Sequence, residues 1–267
     1  MKYLIIKIGG SIISELPASF FKSIVKLKNE GKYCPVVVHG GGPKINEMLQ
    51  CMQIETSFHN GLRISSPEVV DTAGMVLSGD INKKIVAELL RAGGRGFGFS
   101  GIDGAVLQAE PEDSSGNLGN VGKITEVDTE LISLLCGKGY IPVISPISYG
   151  MKDNTVYNVN ADSAASACAS ALGGNIIFVS DIPGIMNKSI NETFIYSQLT
   201  EAEVNDLIAE NVITGGMIPK VQAALMCLQK EVKETVILNG WQEGSIDTYA
   251  AGGSSGTRIV KEEITYV

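Results

Sequence analysis

Two lysines stand where a positive charge could act on an anion. Lys7 interrupts the apolar run Tyr3–Ile8 and is followed directly by two glycines. A lysine within a buried strand is costly unless it is paired or faces a cleft, although on an edge strand it could reach solvent. Because glycines adjoin it and allow close backbone approach, we favour a functional lysine. Lys220 falls in the first turn of a predicted helix, where its charge either meets solvent or has an anion beside it.

A glycine triplet lies between a predicted strand and a predicted helix. Val36–Val38 has the composition of a short buried strand, His39 and Gly40–Gly42 follow, and Pro43 suits the first position of a helix. Glycines let a ligand approach the backbone, and the unpaired N–H groups at a helix start attract anions. A plain strand-to-helix turn is the alternative, and this stretch alone does not decide between the two.

Three further polar residues are candidates for a site, each with a structural alternative. Arg63 comes just before the helix start Ser66-Pro67; its guanidinium suits a carboxylate, but its position alone favours a surface arginine. Asp162 begins a helix of small residues, where it could complement the helix dipole or anchor the lysines. Asp181 opens a turn after a buried strand, at the sheet edge where α/β proteins bind ligands.

The elements that must position these residues alternate between strand and helix along the whole chain. This alternation predicts an α/β protein with a mainly parallel central sheet. Two hairpins are expected to protrude from it, within residues 106–125 and 147–159. The predicted helix after Pro43 has one apolar face, formed by Ile45, Met48, Leu49 and Met52. Gly173-Gly174 is the best seam, so we expect a single domain (residues 1–267) with lobes 1–173 and 174–267.

Composition narrows the class of protein. The chain has 267 residues, 44% of them hydrophobic and 19% charged, as in an ordinary globular protein. A net charge of −8 argues against a nucleic-acid partner. Five scattered cysteines and two histidines predict no metal site made of protein side chains. No signal peptide or membrane-spanning run is present, which predicts a cytoplasmic location.

Six motifs occur in the order and spacing of one enzyme family, and the chain resembles the amino acid kinase family from its first strand to residues 256–258. Neither a Walker A sequence nor a dinucleotide-binding glycine fingerprint is present. The Lys-Gly and glycine-triplet motifs are shared across the family, whereas the others are narrower. The motifs are Lys7-Ile8-Gly9-Gly10-Ser11, Val38-His39-Gly40-Gly41-Gly42-Pro43, Gly61-Leu62-Arg63, Asn158-Val159-Asn160-Ala161-Asp162, Ser180-Asp181-Ile182-Pro183-Gly184-Ile185 and the run from Ile213 to Lys220.

The resemblance implies a three-layer sandwich and an activity: phosphorylation of the side-chain carboxylate of N-acetyl-L-glutamate by ATP with Mg²⁺, the second step of arginine biosynthesis. By matching motif, Lys7 and Lys220 would stabilise the transferred phosphoryl group and Asp162 would hold both lysines. A carboxylate is already ionised at neutral pH, so no general base is needed and His39 is expected to be structural. The remaining roles are substrate binding by Gly41, Gly42, Arg63, Asn158 and Asn160, and nucleotide or phosphate binding by Gly9, Gly10, Asp181, Gly184, Ile213, Thr214 and Gly215.

The resemblance also implies an oligomeric state and leaves two alternative functions to consider. Arginine-inhibited members carry an additional N-terminal helix that links dimers into hexamers; here the first strand begins at Tyr3, so a homodimer without strong arginine feedback is expected. A 2-aminoadipate kinase of lysine biosynthesis shares the fold, but this acidic chain shows no basic docking face for a carrier. A non-catalytic, ligand-sensing relative would not need to keep Lys7, Asp162 and Lys220 together.

Overall fold

The computed structural model describes residues 2–188, 193–229 and 232–261. Within these residues the strands are, in chain order, β1 (Tyr3–Ile8), β2 (Cys34–His39), β3 (Phe58–His59), β4 (Leu62–Arg63), β5 (Gly96–Ser100), β6 (Leu107–Pro111), β7 (Val121–Val127), β8 (Ile141–Ser145), β9 (Ile147–Gly150), β10 (Thr155–Val159), β11 (Asn175–Ser180), β12 (Met186–Lys188), β13 (Thr193–Ile195), β14 (Gln198–Thr200), β15 (Glu234–Asn239) and β16 (Thr257–Val260). The α-helices are α1 (Ala18–Asn29), α2 (Gly42–Cys51), α3 (Pro67–Gly74), α4 (Asn82–Arg91), α5 (Thr129–Gly137), α6 (Ala161–Leu172), α7 (Glu201–Ala209), α8 (Met217–Gln229) and α9 (Ser245–Ala250).

Eight strands form the central sheet, in the order β14-β16-β15-β11-β1-β2-β8-β5. Every neighbouring pair is parallel except β15 and β16, which confirms the predicted mainly parallel sheet. The strands that precede the Gly173-Gly174 seam occupy one half of the sheet and those that follow it occupy the other. The halves meet where β1 pairs with β11, with Ile5 opposite Ile176, so one continuous sheet spans both.

Helices cover both faces of the sheet and make three layers. Side chains of a strand alternate between its faces, and along β1 Ile5 joins one core cluster while Leu4, Ile6 and Ile8 join the other. Residues from α5, α6 and α8 pack on the Ile5 side, and residues from α1 to α4 and α9 pack on the opposite side. The fully buried Ala164, within α6, lets that helix lie close to β1.

The predicted long helix after Ser66 is present but is not uniform. The Ser66 hydroxyl caps it by accepting a hydrogen bond from the backbone N–H of Val69. Between α3 and α4 the chain forms a seven-residue π-helical segment, Met75–Ile81. Such segments are frequent near functional sites, and this one packs its Leu77 and Ile81 side chains against the glycine triplet.

Both predicted hairpins are confirmed, since β6 pairs antiparallel with β7 and β9 with β10. The structure then joins them in a way that the sequence did not indicate. Strand β10 pairs parallel with β7, placing Asn158 opposite Val121, and β6 pairs with β9, so the four strands close into a small barrel. The barrel places Asn158 beside the central sheet.

One local expectation needs correction, the apolar face of the helix after Pro43. Met48 of α2 and Met52, directly after the helix, are 36% and 46% exposed, so only Ile45 and Leu49 form the buried stripe of this helix. Lys220 is the fourth residue of α8, so its predicted place in the first turn of a helix is confirmed. Within the described part of the chain, no helix is long and apolar enough to span a membrane.

Candidate active site

Lys7 and Asp162 form an ion pair at the carboxyl end of β1. Lys7 Nζ lies 2.8 Å from Asp162 Oδ1, and the two side chains are 15% and 32% exposed. Asp162 is held in place by the start of α6, where Asn160 Oδ1 accepts hydrogen bonds from the backbone N–H groups of Asp162 (2.9 Å) and Ser163 (3.0 Å). The pair is partly buried, so its charges are less screened than those of a surface pair.

Lys220 approaches the same sheet edge from the first turn of α8. Its ammonium donates to Ser180 Oγ and to Asp181 Oδ1, each at 2.6 Å. The hydrogen bond from Lys220 lowers the pKa of the Asp181 carboxyl below its ordinary value. The expectation that Asp162 holds both lysines is therefore not met here: Asp162 pairs with Lys7, whereas Lys220 pairs with the turn after β11.

The two lysines face a common cavity of about 340 Å³. It opens beyond the carboxyl ends of β1 and β11, where ligands of open α/β sheets bind. Its charged and glycine lining is Lys7, Gly9, Gly10, Asp162, Asp181 and Lys220. Two cations and exposed backbone N–H groups suit a phosphoryl group, whose transfer depends chiefly on positioning and charge neutralisation.

The glycines of this region are required by close backbone contact. A Cβ placed on Gly10 would lie 2.5 Å from the backbone nitrogen of Gly41. A Cβ on Gly41 would lie 2.6 Å from the side chain of Leu77 in the π-helical segment. The loop after β1, the glycine triplet and the π-helical segment are therefore packed against one another, which leaves the start of α2 open to a ligand.

A second cavity, of about 200 Å³, adjoins the first and shares Gly10 and Asp162 with it. Arg63 and Asn158 line it together with the glycine triplet, so the structure brings together residues for which the resemblance implied substrate binding.

Arg63 has the properties of an anion-binding residue. It is 8% exposed and donates to Thr56 Oγ1 at 3.0 Å and to the Gly42 carbonyl at 3.3 Å, while its guanidinium lies 4.7 Å from the centre of the Phe58 ring. Burial lowers its pKa. Among the described residues no carboxylate pairs with it, and a buried unpaired cation is costly unless a ligand supplies the anion.

The residues predicted to bind the nucleotide or its phosphates do not line a single cavity. Ile213 and Thr214 line a third cavity, of about 360 Å³, between β12 and the start of α8. Asp181 instead lines the cavity of the two lysines. Gly184, at φ 145°, packs against Thr257, and Gly215 has a φ of 56° in the turn before α8. Neither glycine is among the residues that line the cavity of Ile213 and Thr214.

Sequence reasoning missed the polar residues that support this site. Ser180 is 4% exposed and accepts a hydrogen bond from Lys220. In the sequence, the only indication of this role was its place at the end of a buried strand, directly before Asp181. Asn82, fully buried at the start of α4, donates to the Val143 carbonyl (2.9 Å) and to His39 Nε2 (3.2 Å). No local pattern marks Asn82, because its partners come from distant segments.

The fold and the site define a class. The chain belongs to the amino acid kinase family, whose family model matches residues 2–239. Two similar proteins, both named acetylglutamate kinase, come from Oceanobacillus iheyensis (44% identical, covering 100% of both chains) and Bacillus velezensis (45% identical, covering 98% of each). Among solved structures, N-acetylglutamate synthase from Neisseria gonorrhoeae, complexed with coenzyme A and N-acetyl-glutamate, has a TM-score of 0.81 at 20% identity over 98% of this chain and 60% of that one, a likeness of fold alone.

Proposed function

We propose that this chain transfers the γ-phosphoryl group of ATP to the side-chain carboxylate of N-acetyl-L-glutamate, a reaction of arginine biosynthesis. The products are N-acetyl-L-glutamyl 5-phosphate and ADP. The observation that carries the proposal is the adjacency of two cavities: one with Lys7 and Lys220 for a phosphoryl group, and one with the buried Arg63 for the carboxylate of an amino acid. The acetylated substrate follows from the names of the relatives at 44–45% identity.

The chemistry needs little from the protein beyond orientation and charge. The attacking carboxylate has an ordinary pKa of about 4.3 and is ionised at neutral pH. It forms a bond to the γ-phosphorus while the bond from that phosphorus to the β–γ bridging oxygen breaks, and ADP leaves with the electron pair. No proton must be removed from the nucleophile, which agrees with a His39 that is fully buried and bonded to protein partners.

The two lysines would act on opposite sides of the transferred group. Lys7, held by Asp162, is placed at the end of β1, next to the amino-acid cavity. Lys220 reaches from α8 on the side of the nucleotide cavity and can leave Asp181 for a phosphate oxygen. Magnesium bound to the phosphates of ATP would neutralise part of their charge, and because it commonly keeps several waters, it needs no cage of protein ligands.

The proposal also assigns a different substrate to each lobe. The amino-acid cavity is lined only by residues that precede the Gly173-Gly174 seam. The cavity assigned to the nucleotide is lined only by residues that follow it. We therefore assign residues 1–173 to an amino-acid lobe and residues 174–267 to a nucleotide lobe, and because the reaction consumes ATP, we place the protein in the cytoplasm.

A homodimer is the assembly that we propose. Strand β5 ends the central sheet, so its outer edge has no neighbouring strand among the described residues and is a place where another strand could pair. Beside this edge lie the exposed side chains of Leu90 (56%), Phe97 (43%) and Ile102 (38%), an apolar surface of the kind that marks interfaces. Sedimentation should give a dimer that Phe97→Lys dissociates; a wild-type monomer would contradict the proposal.

The activity is tested by trapping the acyl phosphate as a hydroxamate in the presence of ATP and Mg²⁺. N-acetylglutamate is compared with glutamate, aspartate and 2-aminoadipate. Product is expected from N-acetylglutamate alone, lost in Lys220→Ala and kept in Lys22→Ala, a matched change of an exposed lysine on α1. Turnover of a different acid would reassign the substrate, and no product with any acid would refute the kinase assignment.

A further inference from the structure

Ser65 lies beneath the amino-acid cavity and connects the two side chains assigned to the substrate. It is fully buried, between β4 and α3. Its hydroxyl donates to the carbonyl oxygen of Arg63 at 2.8 Å and accepts from Asn158 Nδ2 at 3.1 Å. One buried hydroxyl therefore joins the strand that carries Arg63 to the strand that carries Asn158.

The backbone around Ser65 leaves the hydroxyl little freedom. The Ser65 N–H donates to the Leu118 carbonyl (3.0 Å), and the Ser65 carbonyl accepts from the Asn120 N–H (2.7 Å). Gly119, at φ 62°, comes so close that a Cβ on it would lie 2.5 Å from the Ser65 carbonyl oxygen. Ser65 is thus fixed at the start of α3 by the segment that connects β6 and β7 of the barrel.

The direction of these hydrogen bonds determines which way the Asn158 amide points. A serine hydroxyl has a single proton, and here that proton is used by the Arg63 carbonyl. The hydroxyl can offer Asn158 only lone pairs, so the amide must turn its Nδ2 towards Ser65. The opposite end of the planar amide, Oδ1, is then directed away from Ser65. Since Asn158 lines the amino-acid cavity, this oxygen is available there as a hydrogen-bond acceptor.

We propose that Ser65 is a positioning residue that makes the site selective for N-acylated amino acids. It holds Asn158 with its amide oxygen presented to the ligand, close to the cation of Arg63. An N-acylated amino acid satisfies both groups, because its neutral amide N–H can donate to the Asn158 oxygen and its carboxylate can pair with Arg63. A free ammonium could also donate to the oxygen, but it would be repelled by the buried guanidinium. The inference rests on the proposed function, because it deepens the account of the same cavity.

The test compares N-acetyl-L-glutamate with 2-acetoxyglutarate, an ester of similar shape that lacks the N–H. The wild-type enzyme should prefer the amide by about 100-fold in kcat/KM, because the ester would leave the Asn158 amide oxygen buried without a hydrogen-bond donor. In Ser65→Ala the Asn158 amide can rotate, and the preference should fall to about 10-fold or less, through a higher KM for N-acetylglutamate and an unchanged KM for ATP. Ser65→Thr keeps the hydroxyl and should keep the preference.

The control is Ser148→Ala, which removes a second fully buried serine hydroxyl, one without a hydrogen-bond partner in the described part of the chain. It should leave the preference unchanged. Equal losses on both substrates in Ser65→Ala would show a merely structural role, and a wild type that does not distinguish amide from ester would also overturn the inference. If Ser65→Ala does not fold, Ser65→Cys replaces it, and the preference for the amide over the ester is expected to fall in the same way.

Calorimetric binding of the two acids separates this inference from the proposed function. If the protein fails to phosphorylate N-acetylglutamate but binds it more tightly than the ester, and Ser65→Ala reduces this difference in affinity, the proposed reaction is wrong and the role of Ser65 stands. If it phosphorylates both acids equally well, the reaction stands and the role of Ser65 is wrong.

Discussion

One buried histidine should make the stability of this protein fall in acid by an amount that can be worked out from its surroundings. His39 is fully buried, with Nδ1 donating to the Gly40 carbonyl (3.1 Å) and Nε2 accepting from Asn82 Nδ2 (3.2 Å). Burial is the main cause that lowers the pKa of His39 to about 4 from 6.5; the bond to Gly40 opposes it, and the charge of Lys83 adds to it. At neutral pH the ring is therefore uncharged.

The sign of the effect follows from proton binding in the two states. Between pH 6.5 and 4 the unfolded chain binds a proton at His39 and the folded chain does not, so the free energy of unfolding decreases as the pH falls through this window. Above pH 6.5 the contribution of His39 to the free energy of unfolding is fully present. A pKa difference of 2.5, that is 6.5 − 4, at 1.36 kcal/mol for each pH unit, corresponds to about 3 kcal/mol lost by pH 4.

The assay is urea unfolding of the wild type, His39→Gln and His59→Gln at several pH values from 7.5 to 4. These are the two histidines of the chain, and His59 is exposed. Carboxylates contribute to all three profiles alike, so differences between profiles isolate each histidine. Whatever its stability at neutral pH, His39→Gln should have a profile flatter by about 3 kcal/mol over this range, whereas His59→Gln should lack this flattening. Parallel profiles for the wild type and His39→Gln would refute the reasoning.

Two further predictions concern the loops and the amino-acid cavity. Gly10→Ala should lower both kcat and the melting temperature, because its Cβ would meet the backbone of Gly41 at 2.5 Å; in Gly9→Ala, whose Cβ would have no neighbour nearer than 3.9 Å, the melting temperature should stay close to that of the wild type. Arg63→Lys should raise KM for N-acetylglutamate by about 10- to 100-fold with a smaller effect on KM for ATP, since lysine lacks the fork that grips a carboxylate. Steady-state kinetics check the second prediction, and an unchanged KM for the amino acid would exclude Arg63 from its binding.

Much of the fold was readable from local pattern. The apolar run around Lys7 indicated a buried strand, and its placement inside the sheet is confirmed by pairing with β2 and β11. Residues typical of helix ends also indicated where helices begin and end, since Ser66 caps the start of α3 and Gly173 caps the end of α6. These features depend on the chain within a few residues of each position, so the sequence contains them directly.

Other features depended on how distant segments pack. The sequence placed Lys220 in the first turn of a helix and the resemblance gave Asp162 as its partner. In the structure the partner is Asp181, because the position of α8 over the sheet brings Lys220 to the turn after β11. Met48 and Met52 repeat at the period of an apolar face, yet no neighbouring element of the described structure covers them fully. Periodicity reports which residues could be buried, and the packing of other elements decides which of them are.

By itself, then, the sequence determined the alternation of strands and helices, the glycine turns and the identity of the charged residues at the strand ends. The tertiary structure alone decided their partners. Ser65 and Asn158 are 93 positions apart, and they meet only because two hairpins close into a barrel. A hydrogen bond exists only within a few tenths of an ångström of its preferred length, and a distance that small between remote segments is set by strand register and packing, which no local pattern encodes.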